Sequence, residues 1–76
     1  MFSKRWYSAS FVNQEGKAHL FRVTEWEDEK LLRTFLAVVW PNGQTNPNVH
    51  AVENWCEKNQ DGLPVDGGAV LIDLHE

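Results

Sequence analysis

The stretch Thr24-Glu25-Trp26-Glu27-Asp28-Glu29-Lys30-Leu31-Leu32-Arg33-Thr34-Phe35-Leu36-Ala37-Val38-Val39-Trp40 decides the fold, because it satisfies two different periodicities. Thr24 followed three residues later by Glu27 has the form of a capping box. Glu25, Asp28 and Glu29 suit the positive end of a helix dipole, with Lys30 and Arg33 nearer the other end. Leu31, Leu32, Phe35, Leu36 and Val39 then fall on one helical stripe. Residues 34–40 are also rich in β-formers and run into Pro41-Asn42-Gly43, a turn sequence, so a short helix followed by a third strand is the alternative. The cap and the charge order favour the continuous helix.

The flanking segments are less ambiguous. Residues 4–24 read as a β-hairpin around Gln14-Glu15-Gly16, a three-residue loop with glycine at the left-handed position. That loop sets Asn13 opposite Lys17, Phe11 opposite His19, Ala9 opposite Phe21 and Tyr7 opposite Val23. One face is then apolar apart from His19, and the other carries Lys4, Trp6, Ser8, Ser10 and Val12 beside Ala18, Leu20, Arg22 and Thr24. Farther on, Asn46 can cap a helix and Pro47 suits its first position. Val49, Val52, Trp55 and Cys56 form its apolar stripe up to about Gln60, and Gly62 ends it. Residues 69–75 alternate, with Val70, Ile72 and Leu74 on one face, and predict a final strand.

These elements predict one α+β domain over residues 1–76: two layers, with a small, mostly antiparallel sheet of the N-terminal hairpin and the C-terminal strand on two helices, and an extra strand at 34–40 in the alternative reading. The expected core is Tyr7, Phe11, Phe21, Val23, Val52, Trp55, Val70, Ile72 and Leu74.

Composition narrows the function classes. The chain has 76 residues, 42% of them apolar, and one cysteine, which allows no internal disulfide and no multi-cysteine zinc site. The first residues lack the apolar stretch of a signal peptide, and the run from Phe35 to Trp40 is far short of a membrane span, so a cytoplasmic protein without membrane contact is expected. Charge is unevenly spread. Residues 1–23 hold Lys4, Arg5, Lys17 and Arg22 against Glu15 alone, whereas most of the acids follow and bring the whole chain to −4.

Candidate chemistry is sparse. Cys56 and His50 are six positions apart on a predicted helix and cannot meet on one face, so Cys56 reads as a small core residue. His19, His75 and Asp73 could approach a metal only if the last strand lay beside the hairpin, and no recognised ligand spacing supports that. Asp66-Gly67-Gly68 and Pro41-Asn42-Gly43 read as turns and not as phosphate loops. No catalytic, cofactor-binding or metal-binding residue is therefore expected, and no cofactor.

The outer hairpin face remains. Lys4, Trp6, Leu20 and Arg22 place a tryptophan and a leucine between two cations, a combination suited to a protein contact. A non-enzymatic interaction protein that forms a homodimer sheet to sheet is the favoured reading. An acidic inhibitor of a nucleic-acid enzyme, using Glu25, Glu27, Asp28 and Glu29 with Glu53, Glu57 and Asp61, belongs to the same class. Single-stranded nucleic acid held by Trp6, Tyr7, Lys4, Lys17 and Arg22 is the alternative, which the overall charge of −4 disfavours.

Overall fold

In a computed structural model describing residues 3–41 and 47–74, the chain forms a four-stranded sheet in the order β1-β2-β3-β4 with one α-helix. The elements are β1 (Arg5–Glu15), β2 (Ala18–Glu27), β3 (Lys30–Trp40), α1 (Val49–Lys58), a 3-10 turn at Gln60–Gly62 and β4 (Ala69–Asp73). The first two pairings are antiparallel, and β4 runs parallel to β3. The α+β class thus agrees with the sequence, but the first helix does not exist. Residues 24–40 are the end of β2, a turn and the whole of β3.

Local chemistry explains the change. Asp28 adopts the left-handed conformation, with φ 55°, that a tight turn needs and that Asp tolerates better than most residues. The start of β1 then holds the turn in place. Lys4 N–H donates to Asp28 Oδ1 at 3.1 Å, Asp28 N–H donates to Lys4 O at 2.8 Å, and Trp6 Nε1 donates to Asp28 O at 2.7 Å. Thr24, read as a helix cap, instead sits mid-sheet between Ser8 and Thr34. In β3 the alternate residues Phe35, Ala37 and Val39 are buried, which is a period of two.

The hairpin register also differs from the expectation. The turn has two residues, Gly16 and Lys17, and Gly16 takes the left-handed conformation with φ 63°. A bulge between Phe11 and Asn13 absorbs one further residue of β1. Below the bulge Phe11 pairs with Phe21, Ala9 with Val23 and Tyr7 with Glu25, a slip of two positions from the predicted partners. Below the bulge this even slip keeps each side chain on its expected face. Above it the slip is three, and Asn13, expected on the inner face opposite Lys17, pairs with Leu20 of the outer face.

The core lies between the inner face of the sheet and α1. Tyr7, Phe21, Val23, Phe35, Ala37, Val39, Val52, Cys56, Leu63 and Ile72 are buried together, with Trp55, Val70 and Leu74 packed against them. Of the expected core, Trp55, Val70 and Leu74 are only partly buried, and Phe11 lies outside it. Phe11 is 55% exposed beside the bulge and meets Phe21 edge-on at 5.6 Å. The helix is capped by Asn48, whose Oδ1 accepts from Ala51 N–H at 2.9 Å. Asn46, the expected cap, and the turn at 42–45 lie outside the described residues. The β3–α1–β4 crossover is closed by the segment before β4, where Thr34 N–H donates to Asp66 Oδ1 at 2.7 Å and Gly67 N–H to Thr34 O at 3.1 Å.

Candidate interaction surface

Two regions of the domain are chemically unusual, and the first is internal. Glu25, on the inner face of β2, is 2% exposed, and its carboxylate accepts from Tyr7 Oη at 2.5 Å and from Arg33 Nε at 2.6 Å. Arg5 Nη1 stands 3.7 Å away, and Arg33 Nη1 also donates to Pro64 O at 2.8 Å. Burial pushes the Glu25 carboxyl up, but the hydrogen bonds from Tyr7 and Arg33 and the two guanidinium charges outweigh it and hold the group below the ordinary carboxylate range. Burial and the adjacent carboxylate together push the Tyr7 hydroxyl above the usual phenol range. Arg33 thereby ties the middle of β3 to the loop that precedes β4. The network is structural in its placement, since its carboxylate is sealed from solvent. Its members were visible in the sequence only as separate charges.

Cys56 is equally enclosed. Burial pushes its thiol up to about 12, with the charges of Glu25 and Glu53 adding to the effect, so almost no thiolate forms at neutral pH. A thiol reagent is expected to leave the native protein unlabelled for hours at pH 8 and to label it fully in denaturant. Rapid native labelling, read by mass spectrometry, would contradict the enclosed placement. His50 is remote from this thiol, exposed, with Nδ1 3.7 Å from Glu53 Oε1. Among the described residues no group of His, Cys, Asp and Glu is placed to hold a metal ion, and His75 lies outside them.

The second region is the outer face. The strand pairings bring Trp6, Ser8 and Ser10 of β1 beside Trp26, Thr24 and Arg22 of β2. The same face continues through Thr34, Leu36, Val38 and Trp40 of β3 to Ala69, Leu71 and Asp73 of β4. Three zones result. Leu20, Val38 and Leu71 form an apolar row across β2, β3 and β4, flanked by Leu36 and Trp40. A polar belt of Ser8, Ser10, Arg22, Thr24 and Thr34 crosses the middle. Beyond it Trp6 and Trp26 stack, with ring centroids 5.3 Å apart and planes 10° from parallel. Their indole N–H groups are engaged by Asp28 O and by Ser8 Oγ. The helix lies on the opposite side of the sheet, its Glu53 Oε2 accepting from Ala9 N–H of β1 at 2.9 Å.

The four residues singled out in the sequence all fall on or beside this face. Trp6, Leu20 and Arg22 are in the strands, and Lys4 immediately precedes β1. Leu36, Val38, Trp40 and Leu71 were missed, because residues 34–40 were read as helical and Leu71 falls on the face of the last strand opposite its apolar side. The acidic run is not one surface: Glu25 is internal, Glu27 faces Arg5 at 3.8 Å, and Asp28 is bound into the turn. Among the described residues no helix is long and apolar enough to cross a membrane. No protein-family model, no curated protein and no solved structure matches the chain.

Proposed function

We propose that this protein is a non-enzymatic interaction module whose contact surface is the outer face of the sheet and whose partner there is a second copy of the same chain. One observation carries the reading: no described element covers the outer face, although it holds Leu20, Leu36, Val38, Leu71 and three tryptophans. A contiguous apolar area of this kind is uncommon on a protein that stays alone. The cations on the face are few, and the whole molecule at −4 repels a polyanion, which favours protein over nucleic acid.

Leu20→Glu tests it. Leu20 stands on the face turned away from the core, so the variant is expected to remain folded, while a carboxylate in the middle of the apolar row weakens the contact by several kcal/mol. In sedimentation the variant should run as a smaller species than the wild type. Raising salt from about 0.05 to 0.5 M should leave wild-type association intact or strengthen it, because like-charged copies are screened from each other. An oligonucleotide complex held by about four phosphates would instead weaken steeply over the same range. Salt-sensitive oligonucleotide binding that Arg22→Ala removes, with identical sedimentation of wild type and Leu20→Glu, would replace the self-contact by the nucleic-acid reading.

A further inference from the structure

The two edges of the sheet are treated differently. At the β1 edge the outward N–H of Ala9 is occupied by Glu53 of the helix, the strand is broken by the bulge at Val12, and it is bounded by Arg5 and Glu15. Covering, bulging and charge are the usual devices that keep an edge from pairing with another chain. Among the described residues the β4 edge has neither the cover nor the bulge. Its sequence is Ala69-Val70-Leu71-Ile72-Asp73, with one charge at the last position.

The bonds flanking β4 show which way its backbone faces. Leu36 N–H donates to Gly68 O at 2.9 Å and Leu74 N–H to Trp40 O at 3.4 Å. In a parallel ladder the residues that bond a given neighbour alternate, so 68, 70, 72 and 74 face β3. The N–H and C=O of Ala69 and Leu71 therefore point out of the sheet at its open edge. Leu71 is 71% exposed there, the end residue of the row that begins at Leu20 and passes through Val38.

We infer that two copies join edge to edge by antiparallel pairing of β4, with the two-fold axis through the Leu71 pair. A second copy is the occupant because the edge is self-complementary. With Leu71 opposite its own copy, each Leu71 N–H meets the other Leu71 C=O, and both side chains emerge on the same outer face. The row Leu20, Val38, Leu71 then continues without a break into the same row of the partner. The helix leaves room for this, since it packs on β1 at the far end of the sheet.

The inference rests on the self-association proposed above and supplies the contact area that a stable assembly needs. From strand spacing and rise, one outer face covers about 500 Å², so two single copies stacked face to face remove about 1,000 Å². That is below the roughly 1,600 Å² of a standard stable interface. An edge-joined pair presents about twice the face, and two such pairs stacked together bury about 2,000 Å². The assembly is thus four chains, built from an edge contact and a face contact.

The test uses the whole chain with Leu71→Pro, Leu71→Lys, Leu71→Cys and Leu20→Glu. Proline is tolerated in an edge strand where its missing N–H faced solvent, and lysine guards an edge without altering the ladder to β3. Sedimentation should give four chains for the wild type and two for Leu20→Glu, with loss of the four-chain species in both Leu71→Pro and Leu71→Lys. Under mild oxidation Leu71→Cys should form a disulfide-linked pair, because Cα atoms of a hydrogen-bonded antiparallel pair stand about 5.5 Å apart, within disulfide range. If Leu20→Glu is a single chain, Leu71→Lys assembles like the wild type and Leu71→Cys does not cross-link, the edge contact is wrong while the face contact stands. If Leu71→Cys cross-links and Leu20→Glu matches a two-chain wild type, the edge contact stands and the face reading falls. A single-chain wild type with no cross-linking overturns both.

Discussion

Phe35→Ala is expected to lower the melting temperature by about 15–30 °C, or to leave the protein unfolded, whereas Leu36→Ala should shift it by only a few degrees. Phe35 is 2% exposed on the inner face of β3, among the largest side chains of the core. Deleting a buried aromatic ring costs about 3–5 kcal/mol, from lost transfer energy and the cavity left behind. A 76-residue domain has a total stability of about 4–11 kcal/mol, so the loss is a large part of the whole. Leu36, the next residue, points to the outer face and fills no cavity. The pair therefore discriminates between strand and helix, since a helical stripe through Phe35, Leu36 and Val39 would bury both. Similar losses for the two variants, measured by thermal circular dichroism, would argue against β3 as a strand.

The second large effect concerns Glu25. Glu25→Ala leaves the Tyr7 hydroxyl without its acceptor and removes the counter-charge of Arg33, which should cost about 3 kcal/mol. Glu25→Gln keeps an acceptor for Tyr7 and loses only the charge, at about 2 kcal/mol near pH 7. The pH dependence has a definite sign. The carboxyl is held below its ordinary range in the folded protein, so its stabilisation is fully present above the unfolded value of roughly 4.3 and disappears as pH falls through the lower folded value. Urea midpoints of wild type and Glu25→Gln should accordingly be far apart at pH 7 and converge toward pH 3. A constant separation across that range would mean that the Glu25 charge contributes nothing.

The sequence was misleading at residues 24–40 for a reason that bears on function. A strand with one wet face alternates, and alternation is the signal that distinguishes it from a helix. In β3 the outward positions Leu36, Val38 and Trp40 are apolar as well as the inward ones, so the alternation vanished into a continuous apolar run. The run then matched a helical stripe, and Thr24 and Glu27 supplied a cap that the chain does not use. The apolar outer face hid the strand, and the same face is the proposed contact surface. Elements with one apolar side were legible: Val52 and Cys56 on the helix and Ile72 on β4 are buried as their spacing implied. Glu25 could not be placed, because its burial depends on Tyr7 and Arg33, which lie 18 and 8 positions away in the chain and meet it only in the sheet.

Sedimentation equilibrium of the wild-type chain from about 1 to 500 µM, at low and at moderate salt, tests self-association most directly. A mass that climbs from the single-chain 8.8 kDa with concentration, and that does not fall as salt rises, is the predicted result. A mass that stays at 8.8 kDa throughout would contradict it, and would leave the apolar outer face of the sheet to a different partner.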